Sequence, residues 1–153
     1  ERAGLALVPH GGELRGPEHV RVCLDELGAD RLGHGVRSVE DPDVLARVVD
    51  AGVALEVCPV SNVALGVYSD LTSVPLPTLL EAGATVALGA DDPLLFGSQL
   101  ASQYATMRAA HELSDETLAE LARMSLRASR APDDVRSSAL SEVDAWLAAP
   151  ADR

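Results

Sequence analysis

Only two cysteines occur in the 153 residues, Cys23 and Cys58, and no Cys-x-x-Cys or Cys/His pairing draws them into a disulfide framework or a metal motif. Both fall in apolar segments and read as buried free thiols, an expectation that fits a reducing cytoplasm. No apolar run approaches the roughly 20 residues that cross a bilayer. The opening Glu1-Arg2-Ala3 is not expected to belong to a signal peptide either. Basic residues number 12 against 24 acidic ones, for a formal net charge of -12. That field opposes nucleic-acid backbones and anionic membrane surfaces, so no nucleic acid and no membrane are expected as partners. A small molecule is the partner this balance leaves.

What the sequence does have is a 47% hydrophobic content, enough to bury one core. Apolar runs of strand length alternate with longer stretches of helical period. The first unit is Leu5 to Val8, the loop Pro9-His10-Gly11-Gly12-Glu13, and a helix opened by Pro17 with Val20, Cys23, Leu24 and Leu27 on one face, closed at Gly28. The second runs from Arg31-Leu32-Gly33-His34-Gly35 into a helix entered through Asp41-Pro42, with Val44, Leu45, Val48 and Val49 together. The third is Val53 to Cys58, the loop Pro59-Val60-Ser61-Asn62, an irregular stretch to Pro75 and a short helix from Pro77 to Ala82. The fourth is Thr85 to Gly89, the loop Ala90-Asp91-Asp92-Pro93 and a helix near Gln99 to Ala110.

Strands joined by helices run parallel and are covered on both faces, which explains their unbroken apolar character. Four such units, residues 1–112, make either a small open sheet or half of an eight-stranded barrel. Two further helices in residues 113–153, one capped by Ser114 and one starting near Pro132-Asp133, are expected to pack outside the sheet as a cover.

In parallel α/β folds the site lies at the carboxyl ends of the strands, where the βα loops converge. Those loops carry His10 and Glu13, then His34, then Ser61 and Asn62, then Asp91 and Asp92. His19 and His111 lie in helical segments and read as solvated. Taken alone, His10 is as well explained by a hydrogen-bonded structural histidine, Gly11-Gly12 by a flexible turn, and Ser61-Asn62 by a turn after a strand. Asp91-Asp92-Pro93 reads as a helix N-cap followed by proline, which accounts for one aspartate and leaves the other. Adjacent acids at a buried strand end are costly without a cation, so a metal or a basic substrate atom is their natural partner.

In order, His10-Gly-Gly-Glu13, Leu32-Gly-His34-Gly-Val36, Glu56-Val-Cys-Pro59-Val-Ser-Asn62 and Gly89-Ala-Asp91-Asp92-Pro93 resemble the second half of the adenosine deaminases. The resemblance implies the C-terminal half, strands 5 to 8, of a (β/α)8 barrel with extra C-terminal helices. It implies one catalytic zinc or similar ion, with His10 and Asp91 as ligands. Glu13 would protonate the purine ring nitrogen beside the carbon under attack, and His34 would orient the attacking water and manage its proton. Asp92 would hydrogen-bond the imidazole-ring nitrogen of the purine, and Gly12 would let the substrate approach closely. The reaction implied is hydrolytic deamination of a 6-aminopurine nucleoside. Gly33 before His34 leans towards nucleosides.

One motif of that family is missing. Its other two metal ligands come from a His-x-His on the first strand, and no such motif occurs here. Two protein ligands fall short of the three that a catalytic zinc usually takes. The expectation is therefore that the first four βα units have been lost or lie on another chain, that the fragment alone is inactive, and that it pairs with the absent N-terminal half or with itself. Val74-Pro75 also stands where relatives would carry His-Pro. Three alternatives stay open at this point. One is a deaminase of adenine or of another aminopurine nucleoside, one a half-barrel binding or assembly module without chemistry, and one a self-contained four-stranded α/β domain.

Overall fold

The computed structural model describes residues 4–149. Four strands, β1 (His10–Gly11), β2 (Arg31–His34), β3 (Ala54–Val57) and β4 (Val86–Leu88), form one sheet in the order β1-β2-β3-β4, every neighbouring pair parallel. Spatial order follows chain order without a reversal. A doubly wound sheet reverses at a switch point, whereas successive parallel strands with helices outside are an arc of a barrel. The sheet is half of a (β/α)8 barrel.

The helices begin and end where their sequences dictate. Helix α1 (Pro17–Asp25) has proline in its first turn, where a missing N–H costs nothing, and it buries Val20 and Cys23 completely. It stops short of Leu27, which is left 48% exposed although its spacing matches the buried face. Helix α2 (Pro42–Asp50) is capped by the Asp41 carboxylate, which accepts the N–H groups of Asp43 and Val44. It buries Val44, Leu45 and Val48.

Between β3 and β4 the expected loop and irregular stretch hold more structure than the sequence reading allowed. Pro59 opens helix α3 (Pro59–Ala64) directly at the strand end. A 3-10 turn at Leu71–Ser73 and helix α4 (Leu76–Glu81) follow. Val74, in place of the expected histidine, lies fully buried in the core.

After β4 come α5 (Pro93–Phe96), α6 (Leu100–His111), α7 (Asp115–Arg127) and α8 (Asp133–Ala148). Helix α7 packs on β4 and adds Leu118 and Leu121 to the same core as Leu32, Leu55, Val57, Val86 and Leu79. Each wholly buried leucine stabilises the fold by about 1.5–3 kcal/mol relative to exposure. Helix α8 lies on α7 and buries none of its own residues. Arg31, at the start of β2, donates from its guanidinium to the Ala128 carbonyl and ties the end of α7 to the sheet.

The first strand departs from expectation. Leu5 to Val8 was read as β1, yet the regular ladder covers only His10 and Gly11, and Leu5, Leu7 and Val8 are 73%, 38% and 44% exposed. This segment runs along the sheet edge, held by Asp30 N–H, just before β2, to Leu7 O and by Gly33 N–H of β2 to Pro9 O. Pro9 has no N–H to give, and Leu5 to Val8 have no neighbouring strand on their outer side. No described helix is long and apolar enough to cross a membrane.

Candidate functional site

Each strand hands its chain to a turn at the same rim of the sheet, and the backbones of those turns are tied together. Gly35 N–H donates to Gly11 O at 2.7 Å and Arg37 N–H to Gly12 O at 2.9 Å, so the turn after β1 lies on the turn after β2. The contact requires glycine. Gly12 has φ +66°, and a β-carbon there would stand 2.4 Å from Val20 Cγ2 and 3.2 Å from the Gly35 backbone. Packing against Val20 and Gly35 is thus sufficient reason for glycine at position 12, whatever its relation to a substrate.

Two residues at the rim carry backbone conformations that side chains rarely adopt. His34 has φ +68° and Asp91 has φ +56°. Such positions cost of order 1–3 kcal/mol and persist where the surroundings over-determine them. Here they bring together side chains from separate turns. Glu13, His34 and Asp91 each place a carboxylate oxygen or ring nitrogen so that the three atoms lie within 4.8 Å of one another.

Glu13 Oε1 lies 3.3 Å from His34 Nδ1 and accepts a hydrogen bond of 3.1 Å from the Asn62 side-chain amide. The approach to His34 is off the hydrogen-bond direction, so buried Nδ1 is left without a hydrogen bond. Burial holds the His34 imidazole below its ordinary pKa, against the opposing pull of Glu13 and Asp91, and favours the neutral ring. The His10 ring centroid is 5.2 Å from that of His34, with the planes tilted by 52°. Gly33 makes room for it, since a β-carbon there would meet the His10 ring at 3.3 Å. That contact accounts for the glycine before His34 without reference to any sugar.

Asp92 follows the cap reading. Its Oδ1 accepts the N–H groups of Leu94 and Leu95, both at 2.9 Å, and so starts α5. Asp91, by contrast, faces a cleft of about 420 Å³ shared with His10, Arg31, Gly33, His34 and Glu56. Arg31 Nε stands 2.5 Å from Glu56 Oε1 and is the cation among these residues. Behind Asp91, the Cys58 sulfur fills the space beside Gly89, 2.8 Å from where a β-carbon would lie. Burial pushes its thiol pKa up to about 12.

The structure therefore gathers Glu13, His34 and Asp91 closely, places His10 at the same cleft, puts Asp92 at its edge as a helix cap, and sets Gly12 beneath it. Imidazole and carboxylate are the donors that zinc and similar ions take. The His10 imidazole and the Asp91 carboxylate on one cleft, whose arginine is already paired with Glu56, fit such an ion. The sequence reading missed Glu56 and Arg31 in the cleft, although a charged residue inside an apolar strand was a visible signal. It also assigned Asn62 no contact with Glu13.

A parallel arc of strands with imidazole and carboxylate groups collected at the carboxyl ends defines this chain as half of a (β/α)8 barrel with a candidate metal centre. The adenosine deaminase family matches residues 1–146, and the chain belongs to that family. It is 60% identical over 144 residues to a putative adenosine/adenine deaminase of Streptomyces virginiae, covering 94% of this chain and 42% of that protein. It is 41% identical over 141 residues to an adenine deaminase of Rhizobium leguminosarum bv. trifolii, covering 92% of this chain and 44% of that one. Among solved structures, the adenine deaminase of Arthrobacter aurescens superposes with a TM-score of 0.92 at 37% identity, over 96% of this chain and 45% of that one. The chain thus spans less than half the length of these relatives.

Proposed function

We propose that these residues form the C-terminal half of the active site of a hydrolase that releases ammonia from a 6-aminopurine, acting on the nucleoside in the manner of adenosine to inosine. The convergence of Glu13, His34 and Asp91 from three different turns onto one point carries this reading. Asp91 and His10 would hold zinc or a similar divalent ion, completed by ligands from the other half of the barrel. Such an ion brings the pKa of water to about 7.

The proton movements belong to this chain's own groups. Neutral His34, which lines the same cleft as Asp91 and His10, accepts the proton of the attacking water. Glu13 donates a proton to the ring nitrogen beside the reacting carbon, so that the ring accepts electrons as the carbon–oxygen bond forms. As the carbon–nitrogen bond breaks, His34 returns the water proton to the amino group, which leaves as ammonia, and the new hydroxyl gives its proton to Glu13 as it becomes the carbonyl, restoring both groups. Asp92 faces the far side of the purine with the carboxylate that also caps α5.

A second reading within the same chemistry takes adenine itself as substrate, and the adenine deaminases of Rhizobium and Arthrobacter favour it. Gly33 no longer argues for a nucleoside, because the His10 ring explains it. On this proposal the half-barrel works with a complementary N-terminal half and is inactive without it. The two buried free thiols suit a reducing cytoplasm.

The test is ammonia release from adenosine and from adenine, each supplied separately to the full-length protein that carries this half-barrel. Release from either supports the reaction class, and the ratio of kcat/KM values chooses the substrate. Release from neither removes the proposal.

A further inference from the structure

Asn62 was read from sequence as part of a turn, and its surroundings are not those of a turn residue. It sits in the first turn of α3, where asparagine is a poor helix former, and it is fully buried. Its backbone is held at both ends. The Asn62 N–H donates to Cys58 O at 3.0 Å, and its carbonyl accepts the N–H groups of Val67 at 2.8 Å and Tyr68 at 3.3 Å. The side chain then reaches across 49 residues of sequence to donate from Nδ2 to Glu13 Oε1 at 3.1 Å, while its own Oδ1 is buried with no hydrogen-bond partner.

A buried amide with one unmet acceptor is costly wherever a leucine would fit, so burial alone does not explain it. Beside a carboxyl group that must change protonation state, the same amide has a use. Its N–H₂ donates to the carboxylate. After rotation about its terminal torsion, its Oδ1 accepts from the O–H of the carboxylic acid. One side chain can thereby hold Glu13 in place before and after proton transfer. His34 cannot, because its Nδ1 stands 3.3 Å from the same oxygen without bonding it.

We infer that Asn62 is a positioning residue for the proton donor, aiming the Glu13 carboxyl at the substrate nitrogen in both protonation states through a side-chain amide buried 3.1 Å from it. This inference rests on Glu13 being the proton donor of the proposed deamination. Asn62 touches neither substrate nor metal in this account, so its effect is on kcat and runs only through Glu13.

The experiment is a double-mutant cycle in the full-length protein, with Asn62→Leu, Glu13→Gln and both together, assayed with adenosine and adenine. Asn62→Leu should lower kcat by about tenfold to a hundredfold, as loss of a group orienting a reacting residue does, with KM within about threefold. In the Glu13→Gln background the same substitution should have almost no further effect. Asn62→Asp gives a second view with the shape of the side chain kept, and it should lower kcat comparably because two acids then face each other. An unchanged kcat in both Asn62 variants overturns the inference. So does an equal loss in the two backgrounds, which would make Asn62 a structural residue only. If Asn62→Leu does not fold, parental kcat in Asn62→Asp overturns the inference and a lowered kcat there that Glu13→Gln abolishes sustains it. Parental activity in Glu13→Gln alone removes the proton-donor reading and this inference with it, a result distinct from every other.

Discussion

Glu13 Oε1 and His34 Nδ1 approach to 3.3 Å and do not hydrogen-bond, although both are largely buried. A carboxylate beside an imidazole usually takes the imidazole proton direction and locks it. Here the bond goes instead from Asn62 to Glu13, and the buried His34 Nδ1 is left without a hydrogen bond. On the proposed mechanism the two act as separate proton-handling groups, and not as a linked dyad.

Glu13→Gln keeps the volume and the contact with Asn62 and removes the transferable proton. Its kcat on the preferred substrate should fall by about 10²–10⁴, the usual share of a positioned acid, with bound metal retained. Steady-state kinetics alongside metal analysis measures both, and near-parental turnover counts against Glu13 as the acid.

Asp92 has two duties to separate. Asparagine caps helices as well as aspartate does, so Asp92→Asn should keep the α5 cap and the thermal midpoint while raising KM through loss of charge. Asp92→Ala should lower both the midpoint and the affinity. A KM unchanged in Asp92→Asn would leave Asp92 with the cap alone.

Gly12→Ala should destabilise the fold by more than 2 kcal/mol, the sum of about 1–2 for a left-handed backbone and about 1–3 for a β-carbon forced onto Val20. Adding Val20→Ala should restore part of that loss by removing the methyl it strikes. Denaturant unfolding of the two variants gives the comparison, and additive losses would show that Val20 is not the obstacle.

Cys58 offers a pH prediction with a fixed sign. Burial raises its pKa from the ordinary 9.0 to about 12. Between these values the unfolded chain has lost the thiol proton and the folded chain has kept it, so stability falls as pH rises across that window. Replacing Cys58 with alanine should flatten the slope above pH 9, and iodoacetamide should label Cys58 of the native protein slowly at pH 8. Rapid labelling there would contradict the burial that sets the shift.

Much of this was legible in the sequence because it is written in local patterns. Helix α2 announces itself through Asp41-Pro42 and the spacing of Val44, Leu45 and Val48, and the placement of His34 and Asp91 at strand ends follows from βα punctuation. Leu5 to Val8 misled because apolar character signals a strand, while here the Leu7 N–H goes to the Asp30 carboxylate and Pro9 has none to give. Helix α3 was missed because Pro59 reads equally as the start of a loop or of a helix. The positive φ of His34 and the bond from Asn62 to Glu13 depend on contacts between distant turns, which no local pattern encodes.

The most direct test of the account is metal content measured together with ammonia release, in the full-length protein and in its Asp91→Ala variant. The account predicts about one divalent ion per parent chain, as a catalytic site of this donor type holds, and loss of both ion and ammonia release when Asp91 is removed. An Asp91→Ala protein that keeps its metal and its turnover would contradict it.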